Sequence, residues 1–333
     1  MRFIYFLNHS NPKKNGRWTT CLAISLLLTL SFGQDDRLRL KQADLLENIT
    51  VDGLSMQYLR GNVIFHKGDM VMNCDWARFD KKTEQGFLFG NVSMVEDVQN
   101  LTCDSLFVDS PKDIMIAYSN THVWDTTYSL VADTLFYFSE LDSGSANGNT
   151  ILIQDKQTIK GDRIEYFEIP ESDGVSYAAK GNVSITEEGR LATCGEAIYD
   201  RENGKTTLRI KPEIIDNNQT IAGSEIFLEY DEDILKSLFI PSNAHATHPS
   251  IGIREWTNII DGDTLTFEDS ISFSDDMTGS ILRGYFTDGI MDSMRLEGMA
   301  TTLYHIFEDS VYQGKNEASG DTIIMNFTEN ELQ

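Results

Sequence analysis

Positive charge is scarce in this chain. Against 52 Asp and Glu stand only 27 Lys and Arg, a formal net charge of −25 over 333 residues. Nucleic acid is excluded as a partner, because phosphate binding depends on neutralisation by Lys and Arg, and so is simple electrostatic docking on an anionic membrane. The acidity reads as a solvated, self-repelling surface that keeps a long β-structure soluble. Cysteine is scarce too: Cys21, Cys74, Cys103 and Cys194 are the four. Beyond a leader only three remain, an odd number for an exported chain, and they read as buried thiols rather than redox or metal sites. Helical periodicity of useful length is missing after residue 33. No nucleophile motif, phosphate loop or paired metal-ligand spacing occurs, so the chain reads as a non-enzyme without cofactor. His245-Ala246-Thr247-His248 reads as a loop without the partners a metal site needs. Asp231-Glu232-Asp233 and Asp261-Gly262-Asp263 read as turns, lacking the glycine and terminal glutamate of a Ca²⁺ loop.

Long apolar runs are likewise absent. The longest, Cys21 through Leu30, is shorter than the about 20 residues needed to span a bilayer. Preceded by Lys13, Lys14 and Arg17 and followed by Ser31 and Gly33, it marks residues 1–33 as a signal peptide, with export and cleavage favoured over a retained membrane helix.

What the chain does have is a beat. A small residue inside an alternating apolar phrase falls at Cys74, Cys103, Ala132 and Gly161, a spacing of 29, then at Cys194 and Gly223. A second phrase keeps the same clock: Gly61-Asn62-Val63, Gly90-Asn91-Val92, Ser119-Asn120-Thr121, Gly148-Asn149-Thr150 and Gly181-Asn182-Val183. Self-similarity at this period means stacked supersecondary units sharing one continuous core.

Within a unit the apolar residues alternate with period 2 on both sides of the small residue, as in Leu101, Cys103, Leu106 and Val108, but the phase slips by one at its middle. A one-residue slip turns a strand inside out unless the strand bends there. The small residue then fills the inner apex of a corner, and the following Asp75, Asp104, Asp133 or Asp162 lies outside it, placed to bond local backbone N–H groups. Gly-Asn supplies the positive φ that the returning strand needs to turn the same corner. The expectation is an all-β antiparallel meander of folded strands, stacked about 4.8 Å apart into a V-shaped, solenoid-like trough. Residues 34–240 form its regular part, starting from a worn unit with its corner at Ala43-Asp44. Residues 241–333 read as a second, less regular lobe, set off by a break at Pro241, Pro249 and His245 to His248, in which Gly262-Asp263, Leu296-Glu297-Gly298 and Gly320-Asp321 revive the phrase.

Leu59-Arg60-Gly61-Asn62-Val63 with Cys74-Asp75, Phe89-Gly90-Asn91-Val92 with Cys103-Asp104, and Ala179-Lys180-Gly181-Asn182-Val183 with Cys194 resemble the OstA-like (organic-solvent-tolerance-like) domain of periplasmic lipopolysaccharide-transport proteins, also called the LptA-like family. The resemblance covers about residues 40 to 230, and this chain is longer and more acidic than a short bridge protein of that kind. It implies a twisted β-jellyroll in the periplasm, outer-membrane associated or free, whose apolar groove accepts the acyl chains of lipopolysaccharide or a related acylated glycolipid. It also implies end-to-end stacking by edge strands, with other OstA-like envelope proteins or with itself as a homo-oligomer.

The residues themselves leave two outcomes for the trough: a dry closed core, or a mouth that takes a lipid, each buried CH₂ of which gains about 0.8 kcal/mol. The candidate lining residues are Phe79, Leu101, Leu106, Val108, Leu130, Leu135, Tyr137, Ile159, Ile164 and Tyr166. The competing reading is a structural or carbohydrate-binding β-solenoid of the envelope without lipid cargo. Outward aromatic ladders along one face would favour it, and Trp76, Trp124 and Trp256 share no common slot.

Overall fold

The computed structural model describes residues 38–332 apart from 52–53, 139–142, 155, 169–174, 188, 201–202, 217–218, 232–233, 262, 289 and 329–330. The expected signal peptide lies outside the described residues. The strands are β1 Arg39–Gln42, β2 Leu45–Val51, β3 Leu54–Lys67, β4 Met70–Asp80, β5 Gln85–Glu96, β6 Gln99–Asp109, β7 Ile114–Trp124, β8 Tyr128–Phe138, β9 Ser143–Gln154, β10 Gln157–Glu168, β11 Val175–Glu187 and β12 Arg190–Asp200. There follow β13 Lys205–Arg209, β14 Glu213–Asp216, β15 Gln219–Ala222, β16 Glu225–Asp231, β17 Ile234–Ile240, β18 Ala244–Ile260, β19 Asp263–Gly279, β20 Ile281–Thr287, β21 Ile290–Glu308, β22 Val311–Thr328 and β23 Glu331–Leu332. Two compact units emerge: residues 38–187 with 196–200, and residues 189–195 with 203–332. The change of phrase at 241 falls inside the second, between β17 and β18.

In the first unit every strand from β3 to β11 pairs antiparallel with the next. The fold is the all-β antiparallel meander expected from the alternation, and the jellyroll that the resemblance implies. Register slips in each pair where the two phrases meet. Between β3 and β4, Arg60 faces Trp76 and Val63 faces Cys74, so Gly61 and Asn62 stand opposite Asp75 alone. The same two-against-one bulge recurs with Gly90-Asn91 opposite Asp104, Ser119-Asn120 opposite Asp133 and Gly148-Asn149 opposite Asp162. The bulge bends the strand and keeps both halves apolar side in. In β4, Met70, Met72, Cys74, Ala77 and Phe79 are all buried although the alternation changes phase between Cys74 and Ala77.

Both residues of the Gly-Asn phrase sit at positive φ, for example Gly148 at 78° and Asn149 at 48°. Glycine is required by what lies over it as well as by φ: a Cβ on Gly148 would fall on the Asp133 carboxylate, 2.8 Å from its Cγ. The aspartates do not take the expected role of bonding local backbone. Each carboxylate accepts instead from the side-chain amide of the Asn in the following strand: Asn91 Nδ2 to Asp75 at 2.8 Å, Asn120 to Asp104 at 2.8 Å, Asn149 to Asp133 at 2.9 Å and Asn182 to Asp162 at 3.0 Å. Asn62 reaches Asp44 at 2.9 Å, and Asp44 N–H donates to Gly61 O, so the worn first unit is a folded strand, β1 and β2, with its corner where expected. Inside the corners Leu59, Leu88 and Leu106 are fully buried, each worth about 1.5–3 kcal/mol.

The second unit repeats the device with different residues. Successive strands are again folded across a corner, which lies at Ile210-Lys211, Gly223-Ser224, Ser242-Asn243, Gly279-Ser280 and Gly298-Met299. Its backbone signature persists: Gly195 N–H donates to Ile210 O, Ser224 to Ser242 O and Ser280 to Gly298 O at 2.9–3.0 Å. Ser242 Oγ bonded to Ser224 Oγ at 2.6 Å takes the place of an Asn–Asp pair. Three readings are corrected here. The corner of the β19–β20 strand is Gly279-Ser280; Gly262 lies outside the described residues and Asp263 opens β19 beside the hairpin turn. His245 to His248 is strand rather than loop, and Pro249 sits within β18 opposite Ser274. The turn at Pro241 is thus a corner, not a break.

Candidate functional site

Each corner divides a strand of the first unit into two arms whose inward side chains meet. Phe65 of one arm and Phe79 of the other lie 5.8 Å apart, ring centre to ring centre. Of the ten candidate lining residues, Phe79, Leu101, Leu106, Val108, Leu130, Leu135, Tyr137, Ile164 and Tyr166 are buried, and Ile159 is half-buried. A cavity of ≈ 20 Å³ remains between the arms, lined by Tyr128, Leu130 and Leu152 from one side and Leu135, Ala146, Ile164, Tyr166 and Tyr177 from the other. Gly144 makes room for it. A Cβ there would sit 2.7 Å from the Tyr166 ring and 3.0 Å from Phe136 O. Burial pushes the Tyr128 phenol up, so its hydroxyl stays neutral.

The structure brings Leu130, Leu135, Ile164 and Tyr166 together at this cavity, and adds Tyr128, Ala146, Leu152 and Tyr177, which the sequence reading missed. That reading followed only the strands carrying the small-Asp phrase. The same alternation counted from Gly148-Asn149 and Gly181-Asn182 points to Ala146, Leu152 and Tyr177 on the returning strands.

An ion pair bridges the mouth. After β6 a one-turn 3-10 helix, Ser110–Lys112, ends on Asp113 in the left-handed region at φ 49°. Asp113 Oδ1 accepts from Lys67 Nζ at 2.9 Å. Lys67 ends its arm of β3, whereas Asp113 follows the opposite arm of β6, so the pair spans the two arm tips; the side chains are 5% and 27% exposed.

Cys74, Cys103 and Cys194 are buried, and none of them is in a disulfide. Burial pushes the Cys74 thiol up to about 11 and the Cys103 thiol up to about 12, which makes them inert as nucleophiles. Among the described residues no cluster of three or more His, Cys, Asp or Glu could hold a metal ion, and no helix is long and apolar enough to cross a membrane.

An outward aromatic ladder does exist, on the arm of β4 to β6. Trp76 stacks on Phe89 at 4.1 Å and 13°, Phe87 lies 4.6 Å from Phe107, and the Arg78 guanidinium sits over Phe87 at 4.9 Å. The Trp76 and Phe89 rings stack face to face, as cross-strand pairs that stabilise a sheet do.

Residues 129–234, from β8 to the start of β17, match the family of LptA/(LptD N-terminal domain) LPS transport proteins. The cavity lies mostly within this segment, which is similar to that family. Among solved structures the chain is similar to LptH, the LptA-homologous periplasmic component of the lipopolysaccharide transport device from Pseudomonas aeruginosa. Identity is 13% over 41% of this chain and 79% of that one, with a TM-score of 0.20. No curated protein sequence matches.

Proposed function

We propose that this protein is an exported lipid carrier of outer-membrane biogenesis, holding lipopolysaccharide or a related acylated glycolipid by its acyl chains between the two arms. The observation that carries the reading is the inward face of the matched segment. Around the cavity bounded by Leu130, Leu135, Leu152 and Ile164 it is apolar on both arms. The cavity is far smaller than an acyl chain, so loading requires the arms to part. Each CH₂ then transferred from water returns about 0.8 kcal/mol, and a chain of a dozen carbons offsets the separation of several Leu and Tyr contacts. The lining residues are Phe79, Leu101, Leu106, Val108, Leu130, Leu135, Tyr137, Ile159, Ile164 and Tyr166, with Tyr128, Leu152 and Tyr177.

Partners follow from the edge. On the described residues the folded strand β1–β2 pairs only with β3, and Leu45, Leu46 and Ile49 along it are 41–47% exposed. An unpaired strand bearing exposed apolar side chains is a template for strand addition. A related sheet or a second copy docks there, making the trough continuous from one protein to the next. Native mass spectrometry of protein purified from the envelope tests the reading. Co-purified acylated glycolipid supports it, and ligand-free protein under conditions that preserve a control lipid complex contradicts it.

A further inference from the structure

The inward row of the second unit continues along the start of β18 and the end of β19 as cross-strand pairs: Ala246 with Met277, His248 with Asp275, Ser250 with Phe273 and Gly252 with Ile271. Ala246, Met277, His248 and Asp275 are buried. Beyond Thr247 β18 has parted from β15, and on the far side of Asp276 β19 has parted from β21. The wall from Ser250 to Phe273 is covered instead by the turn joining β21 to β22. Ile253 N–H donates to Ser310 O at 2.8 Å, and Ile253 pairs in parallel with Val311. Phe307 and Tyr312 pack on Phe273 with ring centres 5.2 and 4.8 Å away. Gly252 lacks a side chain where the Phe307 ring lies: a Cβ there would fall on the ring, 2.8 Å from its Cδ1. The backbone N–H and Nδ1 of His305 fix the turn to Asp275 Oδ1 at 2.7 and 2.9 Å.

We propose that Phe307 and Tyr312 form a displaceable plug, lying on the apolar wall of Gly252, Ile271 and Phe273 where an acyl chain of the cargo binds once they leave. The inference rests on the lipid-carrier reading and adds where cargo meets the second unit and what competes with it. Three observations make the cover separable. Its backbone pairing to β18 is one parallel bridge rather than a ladder. Its rings are half-buried, whereas inward residues such as Leu282 and Leu296 are fully buried. On the same wall, the Ser250 hydroxyl is buried without a hydrogen-bond partner, a cost of the structure as it stands. Few buried contacts and an unsatisfied polar group are the marks of a segment that opens locally.

The test uses the purified full chain with a photo-crosslinking residue at Ile271 or, in the first unit, at Leu135, incubated with purified lipopolysaccharide. Cysteines replacing Ile253 and Val311 lock the turn when oxidised. The lock should reduce the Ile271 adduct to background and reductant should restore it, with the Leu135 adduct unchanged throughout. Phe307→Ala with Tyr312→Ala, which needs no disulfide, should raise the Ile271 adduct. Equal Ile271 adducts in locked, reduced and Ala variants overturn the plug while leaving the carrier reading intact. Absence of adduct at Leu135 in every form overturns the carrier reading, and the cargo assigned to this wall with it.

Discussion

Gly148→Ala is the sharpest perturbation of the corner. At φ 78° a side chain enters the left-handed region, which costs about 1–2 kcal/mol for an L-residue. The new Cβ also lands against Asp133, 2.8 Å from Cγ and 2.9 Å from Cβ, an overpacking worth about 1–3 kcal/mol. Together these predict a loss of about 2–5 kcal/mol. The two parts separate in a double-mutant cycle. In an Asp133→Gly background no side chain lies over residue 148, and Gly148→Ala should cost only the conformational part, about 1–2 kcal/mol. Ser119 at φ 60° holds the same slot, so a residue with a Cβ can adopt the conformation there. Urea melts followed by circular dichroism, with hydrogen exchange to localise the loss to β8–β10, give the four free energies. Equal costs in both backgrounds would refute the packing of Asp133 over Gly148, and a cost under about 0.5 kcal/mol would refute the corner.

Lys67→Met keeps the apolar stem but removes the cation facing Asp113. With one partner buried and the other partly exposed, urea melts should show a loss of about 1–2 kcal/mol, between surface and buried pairs, partly recovered by adding Asp113→Asn. Asp275 gives a pH dependence. Burial opposes its ionisation, but the nearby His248 ring, with Nδ1 3.7 Å away, and hydrogen bonds from the backbone and ring of His305 outweigh it and hold the carboxyl below its ordinary value. The native state therefore binds fewer protons, so this stabilisation is present above the unfolded value of about 3.9 and is lost as pH falls through the folded one. Melts from pH 7 to pH 2 should show wild type and Asp275→Asn converging at the acid end; a constant gap contradicts this. Cys74 and Cys103, with thiols pushed up to about 11 and about 12, should resist iodoacetamide at pH 8 until the protein unfolds. Rapid labelling of native protein, or a disulfide between them, would show the apexes to be misplaced.

The first unit was legible because its corners are built from residue types that mean one thing. Gly61, Gly90, Gly148 and Gly181 mark positive φ, Asn follows each, and Asp occupies the opposite bulge, so the phrase and the geometry share one spacing. Ala43-Asp44 was readable for the same reason. The second unit was less so because backbone hydrogen bonds hold its corners with no fixed side chain. Ile210 and Met299 stand where Gly or Asn is expected, at φ 63° and 52°, and nothing in an isoleucine announces a left-handed residue. Long hairpins at β18–β19 and β21–β22 also stretch the spacing, which let Gly262-Asp263 pose as a corner in place of Gly279-Ser280. At the candidate site the alternation around Leu135 and Ile164 located the inward face. It could not show how close the arms come, since the Lys67–Asp113 pair joins residues 46 apart in the chain and the plug depends on a turn folding back.

The central claim is that the inward face carries lipid, and neighbouring residues with opposite facings test it most directly. Leu106, Leu135 and Ile164 are buried between the arms, whereas Ser105, Thr134 and Arg163, one residue away in the chain, are half-buried or exposed. A photo-crosslinking residue placed at each in living cells samples the same envelope, so proximity alone cannot separate the two sets. Acylated glycolipid adducts at Leu106, Leu135 and Ile164 but not at Ser105, Thr134 and Arg163 are the result predicted, in variants that still melt cooperatively. Adducts at neither set, or equally at both, would contradict the carrier and leave a structural β-solenoid in its place.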